Sequence, residues 1–318
     1  MMKALQIIGK NQYEIVDIEL APLLEDQVTV QIEMVSTCPR WDMNMMAGRD
    51  MFDPSVQPDY PLPPGFPGHE MTGTIVAVGS GIKELKVGDR VASLEHLAGQ
   101  GAYAEYLNYR EDELIKLPDE ITWKQAVSFE LLKCVLIGLL QFGNIQGKSM
   151  LVSGLGPAGI LALQAARLLG AERVVAIDIH TDRIAYVNSL GIGLAKHISE
   201  LGEERFDLGY DCVGAAASVQ QLLERIDSHL VIFGVLKGVV HYGEHLWLKG
   251  IKLESYKYRK FGQEDQALLL DLVANKGLNT ACLQTHHVPL HHYEDTIALL
   301  NTQAAIKVYS HPKTDFTV

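Results

Sequence analysis

The sequence predicts an α/β protein in which a doubly wound parallel sheet is inserted into a β-rich domain. Three observations predict it. The first third carries short β-branched runs punctuated by glycine and proline. From Ser149 onward, apolar strands alternate with helical patterns, the order expected of a parallel sheet with helices on both faces. The tail then returns to short strands.

In chain order, Met2 to Ile8 and Gln27 to Val35 run apolar or alternate with β-branched residues, as strands do. Between Asp53 and Gly68 lie Pro54, Pro58, Pro61, Pro63, Pro64 and Pro67, a density that no helix or central strand survives. Met71 to Val78 and Arg90 to Ser93 read as strands separated by turns at Gly79-Ser80-Gly81 and Val87-Gly88-Asp89. Trp123 to Gln141 is a helical region with few charges. Met150 to Ser153 is a strand, Ala158 to Leu169 a helix, Arg173 to Ile177 a strand, and Thr181 to Leu190 a helix closed by Gly191. Phe206 to Asp211 and Leu230 to Phe233 add strands, and His311-Pro312 ends the last one. The boundaries expected from these changes of pattern are 1–122, completed by 274–318, for the first domain and 123–273 for the second.

Bulk properties exclude several functions. The 318 residues allow two domains with real cores. There are 39 acidic against 27 basic side chains, a net charge of −12, which argues against nucleic acid and anionic membrane surfaces as partners. No apolar run reaches membrane-spanning length, and the N-terminus leads into a strand rather than a signal peptide. Cys38, Cys134, Cys212 and Cys282 are far apart, so a disulfide framework is not expected and a reducing, cytoplasmic setting is.

Ser149 to Gly159 reads as a strand followed by G-x-G-x-x-G at a helix start. Gly154 permits the tight turn, Gly156 lets the backbone approach a pyrophosphate, and Gly159 lets the helix pack closely on the strand. Pro157 suits the first helical turn, whose free N–H groups face the phosphates. Asp178 follows about twenty residues later at the end of the next strand. It is placed to accept from the ribose hydroxyls and to repel a 2′-phosphate, which favours NAD(H) over NADP(H). Arg183 and His180 stand nearby and leave room for NADP(H).

Gly68 to Ile82, opening on Gly68-His69-Glu70, closely resembles the zinc signature of the medium-chain dehydrogenase/reductase family, the zinc-containing alcohol and polyol dehydrogenases. Val87-Gly88-Asp89-Arg90-Val91 and Gly101-Ala102-Tyr103-Ala104-Glu105-Tyr106 resemble further landmarks in family order. The resemblance covers nearly the whole chain. It implies a GroES-like catalytic domain completed by the tail, a Rossmann domain between, and hydride transfer between NAD(H) and a small secondary alcohol or polyol, or its ketone or aldehyde. It also implies one catalytic zinc held by Cys38, His69 and Glu130, with Glu70 beside the ion as an exchangeable ligand or a partner of its water. One sulfur, one imidazole and one carboxylate leave the open position that catalytic zinc requires. Cys134, one turn after Glu130, is the competing ligand.

Two departures stand out. The family's hydroxyl and imidazole proton relay after its first cysteine is replaced here by Arg40 and Met43, with Asp42, His96 or an anion-binding role for Arg40 as alternatives. Only a few residues separate Val91 from Gly101, where relatives with a structural zinc carry a four-cysteine lobe, so no structural zinc is expected. His286, His287, His291 and His292 around Pro289 form a conceivable metal cluster, with solvated loop histidines the favoured reading. Two other functions stay open. One is a zinc-free quinone or enoyl-type reductase of the same fold, whose members lack the Cys and His ligands present here. The other is a non-catalytic NAD-binding protein. The resemblance also implies a homodimer or dimer of dimers formed by edge strands, with Leu230 to Phe233 and Leu246 to Leu253 as candidate segments.

Overall fold

The structure, a computed structural model, describes residues 1–53, 55–95 and 101–316. It divides into two compact units, Met1–Leu131 with Thr280–Val318, and Leu132–Asn279.

The first unit is built on a seven-stranded sheet. Its central strand, Gln27–Ser36, alternates inward and outward residues and buries Val28, Val30, Ile32 and Val35. It pairs antiparallel with Glu70–Val78, Tyr106–Arg110 and Lys307–Ser310. Arg90–Ser93 and Leu114–Lys116 extend one side, and Gln284–His287 extends the other. The hairpin Met2–Gly9 with Gln12–Ile18 adds Leu5 and Ile7 to the same core. The tail strands thus join the sheet of the first unit, and register Tyr309↔Ser36 carries Lys307 into its interior.

The helix Pro39–Met46 escapes sequence reading. It forms because Pro39 suits the first helical position, and because Asp42, Met45 and Met46 are buried at helical spacing. The expected helix from Trp123 is two helices, Trp123–Ala126 and Phe129–Leu140, broken at Val127-Ser128. Thr122 and Gln125 form a capping box on the first. The residues before Leu131 stay with the first unit: Arg90 lies 4.2 Å over the Trp123 ring, and Ser128 accepts from Gln284 at 2.9 Å. The stretch ending at Asn279 stays with the second, because Gln164 pairs its side-chain amide with both Asn279 backbone groups.

The second unit is a six-stranded, wholly parallel sheet. Its order is Leu194–His197, Arg173–Asp178, Ser149–Ser153, Phe206–Asp211, Ile226–Ile232, Lys252–Ser255. In chain order this is 3-2-1-4-5-6, the doubly wound arrangement that reverses direction beside the first strand. Ile226–Ile232 has neighbours on both sides, so the expectation that Leu230 to Phe233 forms an exposed edge is corrected; the edges are Leu194–His197 and Lys252–Ser255. No helix of the described residues is long and apolar enough to cross a membrane.

Candidate active site

Chemistry-bearing side chains concentrate at two places, one in each unit. In the first unit, Cys38 ends the central strand's continuation and starts the helix Pro39–Met46, while His69 and Glu70 open the neighbouring strand. Their donor atoms lie within 4.8 Å of one another. Glu130, in the first turn of Phe129–Leu140, brings Oε2 to 3.9 Å from His69 Nε2.

Backbone contacts fix each member. Ser93 donates to the His69 carbonyl at 2.6 Å and accepts from the Met71 N–H at 3.0 Å, pinning the chain on both sides of Glu70. His69 Nδ1 donates to the Pro67 carbonyl at 2.8 Å. In the neutral ring that bond keeps the proton on Nδ1 and turns the Nε2 lone pair to the cluster, the usual arrangement of a metal-bound imidazole. Burial alone would lower the His69 pKa. The hydrogen bond and charge of Cys38, with the Glu130 and Glu70 carboxylates, outweigh that and push it up to about 10.

Glu70 has 1 % and Lys307 0 % of its surface exposed. Lys307 Nζ donates to Glu70 Oε1 and, at 2.5 Å, to the Thr37 carbonyl. Burial raises the Glu70 pKa, and Lys307 and His69 oppose that rise. Glu70 Oε2, equally buried, has no hydrogen-bond partner among the described residues. Such an atom carries a desolvation penalty that a cation would offset. Sulfur, imidazole nitrogen and carboxylate oxygens around it suit zinc by ligand type. The residues present thus fit the ion.

Asp42 is sealed beneath. Tyr103 and Tyr293 both donate to Oδ1, Tyr293 at 2.6 Å, and Oδ2 is buried without a partner. Burial holds its pKa above the ordinary carboxylate range, against those two hydroxyls and the charges of His69 and Lys307. With no surface exposed, Asp42 offers no proton route to bulk water, and His96 lies outside the described residues. Arg40 is half-buried, and Met43 packs beside Val288 and Val308.

In the second unit, Gly154 takes φ +88°, open to glycine, and a Cβ on Gly159 would stand 1.7 Å from the Gly154 carbonyl. A Cβ on Gly156 would meet open space. Asp178 Oδ2 accepts from the Leu155 N–H at 2.6 Å, and Oδ1 accepts from the His180 N–H at 2.9 Å with the His180 ring 2.7 Å away. Burial would raise the Asp178 pKa, but those N–H bonds hold it below its ordinary value. Arg183 NH1 lies 3.9 Å from Oδ2.

Cys134 lies one turn beyond Glu130, on the far side of the division between units. The tail histidines serve other contacts: His287 Nε2 sits 3.5 Å from Asp315, and His291 Nδ1 donates to the Asp315 carbonyl. Sequence reasoning named Asp42 only as a relay alternative, and missed its partners Tyr103 and Tyr293 and the buried Lys307. The one signal for Lys307 was a lysine inside the apolar run Ala304 to Tyr309.

Residues 24–119 match the alcohol dehydrogenase GroES-like domain, and 157–275 match the zinc-binding dehydrogenase model. The L-threonine 3-dehydrogenase of Francisella philomiragia is 26 % identical over an alignment covering 96 % of this chain and 98 % of that enzyme. Among solved structures, (2R,3R)-butanediol dehydrogenase from Bacillus subtilis superposes with TM-score 0.83 at 20 % identity, covering 98 % of this chain and 100 % of that one. A zinc-binding dehydrogenase from Sinorhizobium meliloti bound to NADP gives 0.84 at 20 % identity, covering 98 % and 99 %. The last two likenesses speak to the fold.

Proposed function

The chain belongs to the medium-chain dehydrogenase/reductase family, and from that membership we propose that it is a zinc- and NAD-dependent dehydrogenase of small secondary alcohols, polyols or the corresponding carbonyls. The observation that carries this reading is the donor cluster of Cys38, His69 and Glu70, with Glu130 alongside, around a buried carboxylate oxygen that has no partner.

In this reading Cys38, His69 and Glu130 hold the ion. Glu70, tied to Lys307 through Oε1, keeps Oε2 as an exchangeable fourth donor. When bound, the ion supplies Lewis-acid polarisation of the substrate oxygen. His69 is held in the required tautomer by Pro67, and Ser93 keeps His69 and Glu70 in step. Gly154, Gly156 and Gly159 receive the dinucleotide's pyrophosphate, and Asp178 the adenosine ribose. The Asp178 carboxylate favours NAD(H), because a 2′-phosphate there would meet like charge. Arg183 is the group that would tolerate NADP(H), as bound by the Sinorhizobium protein. The exposed edge Lys252–Ser255, with Trp247 and Leu248 exposed beside it, is the surface on which two copies would pair.

The test is elemental analysis and turnover of wild type and His69→Ala. The variant is expected to lose most zinc and nearly all activity while NADH binding stays within twofold. Full activity in a zinc-free preparation would overturn the mechanism and favour a zinc-free reductase. NADH binding without turnover of any alcohol or carbonyl would favour a non-catalytic protein.

A further inference from the structure

Arg40 stands half-buried beside the donor cluster. Its guanidinium makes no hydrogen bond or ion pair with any described residue, and the charge acting on it is that of Cys38. Two arginines of the unit are occupied: Arg90 donates to the Pro118, Asp119 and Ile121 carbonyls, and Arg110 pairs with Asp112 and Glu113, while Arg49 is exposed to solvent and Arg40 is not. Acidic groups stand close to Cys38, yet none takes Arg40; Glu70 pairs with Lys307, and Glu130 faces His69.

Its position gives the idle fork a direction. Cys38, Pro39, Arg40 and Trp41 are all partly accessible, whereas His69 and Glu70 are 6 % and 1 % exposed. A ligand reaching the donor cluster along this stretch passes Arg40. Trp41 packs edge-on to Phe66 at 5.5 Å and Phe52 at 6.0 Å, so an apolar wall stands beside the cation. A guanidinium stays charged at every working pH and cannot relay a proton as a hydroxyl does. Its planar fork suits a carboxylate or phosphate held by two parallel hydrogen bonds. A half-buried cation without a partner is a cost to the free protein, which an anionic ligand would offset. In a chain of net charge −12, such a ligand needs a local cation to approach at all.

We infer that Arg40 selects substrates in which the reacting alcohol or carbonyl carries an anionic oxygen group, a carboxylate or a phosphate. This rests on the dehydrogenase reading above and narrows its substrate class. Arg40 is a specificity-determining residue: it grips the anion while the donor cluster receives the reacting oxygen.

The experiment compares wild type, Arg40→Gln and Arg40→Lys on 3-hydroxybutyrate and glycerol 3-phosphate against their neutral analogues 2-butanol and glycerol. Wild type is expected to favour one anionic substrate over its neutral analogue by at least tenfold in kcat/KM. Arg40→Gln should erase that preference mainly through KM, with the neutral pair changed less than threefold, and Arg40→Lys should restore part of it. The preferred anion separates carboxylate from phosphate. Equal losses on anionic and neutral substrates would overturn the inference. So would a tenfold loss of NADH affinity in Arg40→Gln, which would assign the guanidinium to the cofactor's pyrophosphate.

Titration of 3-hydroxybutyrate and of inorganic phosphate, followed by tryptophan fluorescence, reads the site without turnover. Saturable binding that weakens at least tenfold in Arg40→Gln supports the inference even if no substrate is turned over, which would count against the dehydrogenase reading alone. Binding of neither anion to wild type overturns it.

Discussion

Lys307 shows how much of a site one residue can decide. It and Glu70 are both sealed from solvent, so their attraction is unscreened but each needs the other. Lys307→Met should destabilise the protein by about 3–5 kcal/mol, the usual cost of leaving one charge buried and unpaired. The double variant Lys307→Met/Glu70→Gln should recover most of that. Urea unfolding of the three proteins checks both; a double variant no more stable than the single would show that Lys307 acts through the Thr37 carbonyl instead. The same tether predicts an order among the carboxylates. Glu70 already spends one oxygen on Lys307, so Glu130→Gln should lose more zinc than Glu70→Gln after identical dialysis; the reverse order would make Glu70 the third ligand. Cys38, His69, Glu70 and Glu130 were named from the sequence through the family resemblance, with only His69 and Glu70 inside its short motif, and the structure places their side chains near one another. Lys307 was not. Its partner lies 237 positions away, and only the pairing of Tyr309 with Ser36 brings them together.

Among the elements, the loop between the strand Ser149–Ser153 and the helix Pro157–Leu168 was legible at Gly154 and Gly159, which answer separate steric demands, a positive φ and a close helix approach. Gly159→Ala puts a methyl 1.7 Å from the Gly154 carbonyl, so the helix must back away from the turn. NADH affinity should fall at least tenfold with zinc content unchanged; unchanged affinity would mean the loop absorbs the methyl freely. Beyond the ribose contact proposed for it, Asp178 holds the Leu155 and His180 N–H groups in the loop. Wild type should bind NAD(H) at least roughly tenfold tighter than NADP(H), about 1.4 kcal/mol, and Asp178→Ala should weaken NAD(H) and erase the difference. Equal affinities in wild type would show that Arg183 governs the choice. Strand positions were also legible, since period-two burial leaves a mark in composition. The helix Pro39–Met46 and the sheet edge were not, because Met-rich segments carry little periodicity and neighbours in a sheet are set by topology.

At the scale of the whole molecule, metal, protons and stability are one linked system. His69 in the metal-free protein has a pKa near 10, against 6.5 for an ordinary histidine, because burial's opposing effect is outweighed by Cys38, Glu130 and Glu70. The folded value is therefore raised. Its stabilising contribution is fully present below about pH 6.5 and is lost as pH climbs through about 10, since over that interval the unfolded chain has shed the proton that the folded protein still holds. Zinc needs the neutral imidazole, so binding near neutral pH must expel the His69 proton. Affinity should consequently rise by close to tenfold per pH unit on that proton alone until about pH 10. Metal-free protein should lose melting temperature steadily between pH 7 and 10, whereas zinc-loaded protein should be nearly flat over the same interval. Calorimetric titration of zinc in two buffers of different ionisation enthalpy counts the protons released, and melting curves with and without chelator give the stability profiles. His69→Ala should release fewer protons and flatten the metal-free profile. Zinc binding that is independent of pH, or a metal-free protein that gains stability as pH rises from 7 to 10, would show that His69 is neutral before the metal arrives and that the cluster's charge is balanced by some other group.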